Sequence, residues 1–221
     1  MLYIKKNSEP KQLIDEKRKG LQSYAELTNT TKNAIRESLL IEQGFLCAYC
    51  MQRINVDNTT IEHYIPQNPR NLSIDESLSI AYSNMLAVCC GNTEIGKHKN
   101  ENELICDKHR GNKPLTVNPL DMHSVEKIRY RSDGTIYSDD ADIQKDLHET
   151  LNLNCEAVLL KQNRKSVLDA VKRNIFNKNK NTLSKRQLEN MLTKIQQKRD
   201  GKYNPFIGIA IWYLKKKLVR Y

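Results

Sequence analysis

Apolar positions in the first half of the chain fall in short runs that change period, whereas those in the last third repeat at helical spacing. Residues 8–28 are charged and helix-compatible, with Leu13, Ile14 and Leu21 on a ragged apolar stripe. Ala34, Ile35, Ser38, Leu39 and Glu42 predict a helix over 33–43 that ends at Gly44, a natural C-cap residue. The β-branched stretch Thr59–Ile65 predicts a short strand closed by Pro66. Residues 73–86 are mixed, with room for a helical turn, and the polar stretch 91–103 reads as an exposed loop. Cys106–Lys113 predicts a short helix stopped by Pro114. Ile128-Arg129-Tyr130 and Thr135-Ile136-Tyr137, on either side of Ser132-Asp133-Gly134, predict a hairpin.

Three amphipathic helices follow. Their apolar faces are Leu160, Val167, Leu168, Val171 and Ile175; then Leu188, Leu192 and Ile195; then Ile207, Ala210, Ile211, Leu214 and Leu218, started by Asn204-Pro205. There is no internal repeat. The pattern predicts an α+β fold with a helical segment over 1–32, a cysteine-bearing core over 33–138 and a helical extension over 139–221.

Charge sharpens this division. The 221 residues carry 36 Lys and Arg against 26 Asp and Glu, a net charge of +10. Residues 1–154 hold 19 basic and 22 acidic groups, and residues 155–221 hold 17 basic and 4 acidic groups. A segment of that charge attracts polyanions, nucleic acid being the usual candidate, with a solvated helix surface as the plain alternative. Lys172, Arg173, Lys178 and Lys180 lie in its densest part and are the candidate nucleic-acid contacts. No apolar run reaches the roughly 18–20 residues of a membrane span. The charged start, Met1–Lys6, has no signal-peptide pattern, so a cytoplasmic chain with reduced thiols is expected.

In that setting clustered cysteines read as metal ligands. Cys47-Ala48-Tyr49-Cys50 turns two thiolates toward one ion, and tetrahedral zinc needs two more. Cys89, Cys90 and Cys106 supply them. Adjacent side chains diverge in extended backbone, so only one of Cys89 and Cys90 ligates. The expected set is Cys47, Cys50, Cys89 and Cys106, with Cys90 as the substitute for Cys89. A redox pair would open a helix after a strand, whereas this knuckle follows a helix-like run. Cys155, among Leu151, Leu153, Val158 and Leu159, is expected to pack in a core.

Between the cysteines lie Glu62-His63-Tyr64-Ile65-Pro66, then Asn84-Met85-Leu86, and the last cysteine opens Cys106-Asp107-Lys108-His109-Arg110-Gly111. A histidine beside a carboxylate suits general-base work, and Asp107 is a hard oxygen ligand suited to Mg²⁺. In a regular strand Glu62 and His63 point to opposite faces, so both reach one site only where the strand ends or bends.

In this order the residues resemble the HNH endonucleases, the ββα-metal nucleases, in their zinc-stabilised form. Glu62-His63 with Pro66, Asn84 before Leu86, and Cys106-Asp107 with Arg110-Gly111 match the family's successive motif elements, Asp107 standing where Asn or His is usual. The resemblance implies a metal-dependent phosphodiester hydrolase with His63 as general base and Asn84 orienting it. Glu62 and Asp107 would hold a catalytic Mg²⁺ or Mn²⁺, beside a structural Zn²⁺ on the cysteines. The second knuckle departs from the family, because Cys89 and Cys106 are 17 positions apart. That departure, with Gln43-Gly44-Phe45-Leu46 before Cys47 and Val117-Asn118-Pro119-Leu120 after it, is similar to the HNH subunit of Septu-type anti-phage systems, also found beside some retrons. That group implies an ABC/SMC-like ATPase as partner. The reading from another class is a non-catalytic zinc-ribbon nucleic-acid-binding or adaptor protein.

Overall fold

The computed structural model describes residues 1–67, 75–93, 100–176 and 183–220. Lys178 and Lys180 lie outside them, as do parts of the stretches 73–86 and 91–103.

The elements are α1 (Lys11–Arg18), α2 (Asn29–Glu42), β1 (Thr59–His63), β2 (Met85–Cys89), α3 (Cys106–Arg110), α4 (Met122–Glu126), β3 (Ile128–Tyr130), β4 (Ile136–Ser138), α5 (Ala141–Lys145), α6 (Leu160–Phe176), α7 (Lys185–Ile195) and α8 (Ile207–Leu218). Among the described residues the fold is mixed α+β with two small antiparallel sheets, β1–β2 and β3–β4. The hairpin falls where Ser132-Asp133-Gly134 predicts it.

The boundaries shift where local chemistry outweighs the apolar stripe. The helix expected within 8–28 is the shorter α1, and a 3₁₀ turn follows at Tyr24–Glu26. Gly20, at φ +92°, turns the chain between them. The helix expected from Asn33 begins at Asn29, because the Thr28 side chain accepts from Thr31 N and caps it. Counting apolar positions alone misses that polar first turn. Within 73–86 two 3₁₀ turns form, Glu76–Ser79 and Tyr82–Asn84. The run Met85–Cys89 that follows is a wholly buried strand with no alternation to announce it.

One apolar core gathers residues from all three expected segments, from Met1 and Leu13 through Leu39 and Val88 to Leu168 and Ile209. A smaller cluster of Val171, Ile175, Leu183, Leu188, Ala210 and Leu214 seals α6, α7 and α8 together, as their faces predict. A capping box between Ser184 and Gln187 starts α7. Cys155 is buried in the main core, its thiol toward Asn102 O at 3.6 Å. Among the described residues no helix is long and apolar enough to cross a membrane.

Candidate metal centre and active site

The Cys47–Cys50 turn is docked onto β2 by Ala48 N donating to Ala87 O at 3.0 Å. It closes on itself where Met51 N donates to Cys47 O at 3.0 Å and Cys47 N to Gln52 O at 3.0 Å. Gln43, at the end of α2, donates to Leu46 O and Ala87 O and accepts from Ala87 N, which fixes helix, turn and strand together.

The other two cysteines meet through Gly91. Ile105 N donates to Gly91 O at 3.1 Å, pinning together the two ends of the chain between Cys89 and Cys106. Gly91 has φ +67°, and a Cβ there would lie 2.4 Å from the Lys108 side chain and 2.7 Å from Ile105 O. Only glycine permits that close approach.

The sulfurs of Cys47, Cys50, Cys89 and Cys106 consequently lie within 4.8 Å of one another, all buried. Cys47 Sγ is 3.9 Å from Cys106 Sγ, and Cys50 Sγ is 3.8 Å from Cys89 Sγ. A tetrahedron with Zn–S bonds of about 2.3 Å has edges of about 3.8 Å. These separations fit a zinc tetrathiolate and are far beyond a disulfide bond of about 2.05 Å. Burial pushes the Cys50 and Cys106 thiols well up, whereas hydrogen bonds from the neighbouring sulfurs outweigh burial at Cys47 and hold it well below its ordinary value; a bound cation favours the thiolate form of all four together. Cys90, half-buried, stands outside the cluster.

Strand β1 ends at His63, paired with Met85, and both Glu62 and His63 line one cavity of about 320 Å³. Gln67, Asp107, Lys108 and Asn112 line it as well. Both are paired residues of β1, and the cavity lies at the end of the strand where each reaches it. Asp107 comes from the first turn of α3, directly after the cysteine Cys106.

His63 Nε2 lies 2.8 Å from Ser79 O. A carbonyl only accepts, so Nε2 carries the proton and Nδ1 keeps the lone pair. The Gln67 side-chain amide lies 3.2 Å from the same Nε2, and Tyr24 packs edge-on to the imidazole at 5.1 Å. Burial lowers the pKa of His63 from its ordinary value, which favours the neutral ring at neutral pH.

Asn84 stands behind the cavity. Its Oδ1 accepts from Ile65 N at 2.8 Å, and its Nδ2 donates to Ile65 O at 3.0 Å and Leu78 O at 3.1 Å. It thereby ties the chain just past His63 to the turn that carries Ser79.

Glu62 is held from one side. Arg110, itself 1% exposed, donates from Nη1 to Glu62 Oε1, and the Tyr49 hydroxyl reaches the same oxygen at 3.3 Å. Arg110 also donates to Tyr49 Oη, His63 O, Tyr64 O and Lys113 O. Burial, reinforced by the Asp107 charge, outweighs the attraction of Arg110 and pushes Glu62 up to about 8. Two carboxyl groups converging in one cavity are a donor set for a hard divalent cation. Sequence reasoning gave no role to Arg110, Tyr49 or Gln67. Arg110 sits in the quoted motif, but its burial is a property of the packing alone.

Lys172 and Arg173 lie on α6, away from this cavity's lining. Lys172 Nζ is 4.0 Å from Asp169 and lies over the Tyr213 ring, and Arg173 is exposed.

No protein-family model matches the chain. A curated protein does, the "Retron Vc95 putative HNH endonuclease" of Vibrio cholerae serotype O1 biovar El Tor, at 27% identity over 105 residues. The likeness is to the HNH endonucleases. The aligned stretch covers 48% of this chain and 47% of that relative, so the match spans about half the length of each.

Proposed function

We propose that the chain is a metal-dependent HNH endonuclease that hydrolyses phosphodiester bonds. The observation that carries this reading is the convergence of Glu62, His63 and Asp107 on one cavity beside a four-cysteine site. The succession β1, β2, α3 serves as the ββα-metal element, with the split cysteine set as its structural zinc site. The distant relative bearing the HNH name points the same way.

In this reading His63 Nδ1 accepts the proton of the attacking water, while Nε2–H stays on Ser79 O and holds the ring's orientation. Asn84 keeps Ile65 and Leu78 in place, and so positions both His63 and the carbonyl it needs. Asp107 and Glu62 would hold a Mg²⁺ or Mn²⁺ ion. When bound, that ion stabilises charge on the scissile phosphate and the leaving oxygen. Lys108, at the cavity wall, attracts the phosphate backbone, and Lys172, Arg173, Lys178 and Lys180 guide the strand from the basic extension.

At the level of the system we infer an anti-phage defence complex of the Septu or retron-associated kind, in the cytoplasm, with an ABC/SMC-like ATPase controlling the nuclease. Support comes from the split second knuckle and from the relative's retron name. The test is cleavage of plasmid DNA and of RNA with Mg²⁺ or Mn²⁺, by the chain alone and with the ATPase encoded beside it. Cleavage lost in His63→Ala supports the assignment, and equal cleavage by the variant refutes it.

A further inference from the structure

A groove of about 1060 Å³ lies between the N-terminal segment, α4, β3 and α8, and it shares no lining residue with the His63 cavity. Its floor is apolar, with Ile128, Tyr130, Ile211 and Trp212. Two large apolar side chains stand open at its margin, Met122 at 50% exposure and Val219 at 87%. Three exposed cations in its lining, Lys5, Lys216 and Arg220, have no carboxylate partner among the described residues. The carboxylates in the same lining are already engaged, Glu42 by Lys6 at 2.8 Å and Glu126 by Lys215 at 3.6 Å. The groove therefore offers apolar surface and uncompensated positive charge together.

We propose that this groove docks an acidic amphipathic helix of a partner protein. The proposal goes beyond the hydrolytic reading and does not depend on it. An amphipathic helix lays apolar anchors at i, i+3, i+4 and i+7 into such a floor, and acidic residues beside them meet the rim cations. Tryptophan and tyrosine in the floor are the residue types that dominate protein interfaces. Nucleic acid suits the groove less well. Single strands stack on open aromatic faces, whereas Trp212 already packs T-shaped against Tyr130 at 5.7 Å and carries Lys216 Nζ 5.1 Å over its ring. Met122 and Val219 offer nothing to a phosphate.

Trp212 is the chain's single tryptophan, so its emission reports on the groove directly. The probe is a library of helical peptides of about five turns, roughly 18 residues, with Leu or Phe varied along one face and Glu flanking it. The full chain is titrated and Trp212 emission is read. Expected are library members that shift the emission saturably and bind at least about tenfold more weakly to Met122→Glu/Val219→Asp and to Lys5→Glu/Lys216→Glu/Arg220→Glu. These residues are exposed, and thermal melting checks that the variants are folded. The same peptides with Lys in place of Glu should not bind. The proposal is overturned if no member shifts Trp212, if Lys-flanked peptides bind equally, or if oligothymidylate produces the shift.

Discussion

Arg110 reaches from the end of α3 to donate to the Glu62 carboxyl near the end of β1, with its guanidinium wholly out of solvent. The same guanidinium holds the carbonyls of His63 and Tyr64, so the last residue of β1 and the one after it are positioned by one side chain. Tyr49, inside the Cys47–Cys50 turn, shares this network. The cysteine site and the His63 cavity are thus mechanically joined.

Removing the cation should be costly. Arg110→Met leaves the Glu62 carboxyl only the Tyr49 hydroxyl and takes the guanidinium from the His63 and Tyr64 carbonyls, a loss of about 1–3 kcal/mol. Urea unfolding of parent and variant measures it. Glu62→Gln keeps an acceptor for Arg110 and should cost about 1 kcal/mol or less at a pH low enough for the parent carboxyl to be neutral, below its ordinary value of 4.5.

The raised pKa of Glu62 adds a pH dependence with a definite sign. The unfolded chain ionises this carboxyl near its ordinary value of 4.5, the folded chain only near about 8. Ionisation therefore favours unfolding between those values, and Glu62→Gln should gain stability relative to the parent as pH rises from about 5 to 8. Above that the difference should level off. Unfolding curves across pH, without added divalent cation, check this.

Metal content separates the adjacent cysteines. The parent should carry about one zinc per chain by elemental analysis. Cys89→Ser should lose it and unfold at lower temperature, while Cys90→Ser should keep both zinc and stability. A chelator strong enough to strip zinc should lower the melting temperature of the parent and leave apo Cys89→Ser unchanged.

The four-cysteine cluster was legible because clustered thiols have few other uses in a reduced chain, and the divergence of adjacent side chains allowed only one of Cys89 and Cys90 to join it; the fold decides that it is Cys89. The three C-terminal helices were legible because each carries an unbroken apolar face. Strand β2 was not, because a run buried on every side shows no period. The start of α2 was hidden in a polar turn whose signal is a cap. The chain around and just past His63 is held by Asn84 and Arg110, both distant in sequence. A single motif names such residues but does not show what they touch.

Asn84 gives a test of positioning. Asn84→Ala frees Ile65 and Leu78 and should cost about 2 kcal/mol, since buried polar groups lose their partners. If Asn84 orients His63, cleavage in the variant should fall through kcat, with substrate affinity nearly unchanged. A fall in affinity alone would assign Asn84 to binding.

The basic extension predicts a salt effect. Lys172→Glu/Arg173→Glu should weaken nucleic-acid binding and lower the slope of log K against log salt by about 0.9 for each phosphate no longer neutralised. Fluorescence anisotropy at several salt concentrations measures both. Unchanged binding would leave α6 as a solvated surface.

The central claim is that His63 performs hydrolysis at the cavity it shares with Glu62 and Asp107. The most direct measurement is plasmid nicking with Mn²⁺, with the neighbouring ATPase present, comparing the parent with His63→Ala matched for zinc content and melting temperature. The account predicts nicking by the parent and a loss of at least about 100-fold in the variant. Equal rates, or no cleavage by the parent under any of these conditions, would contradict it.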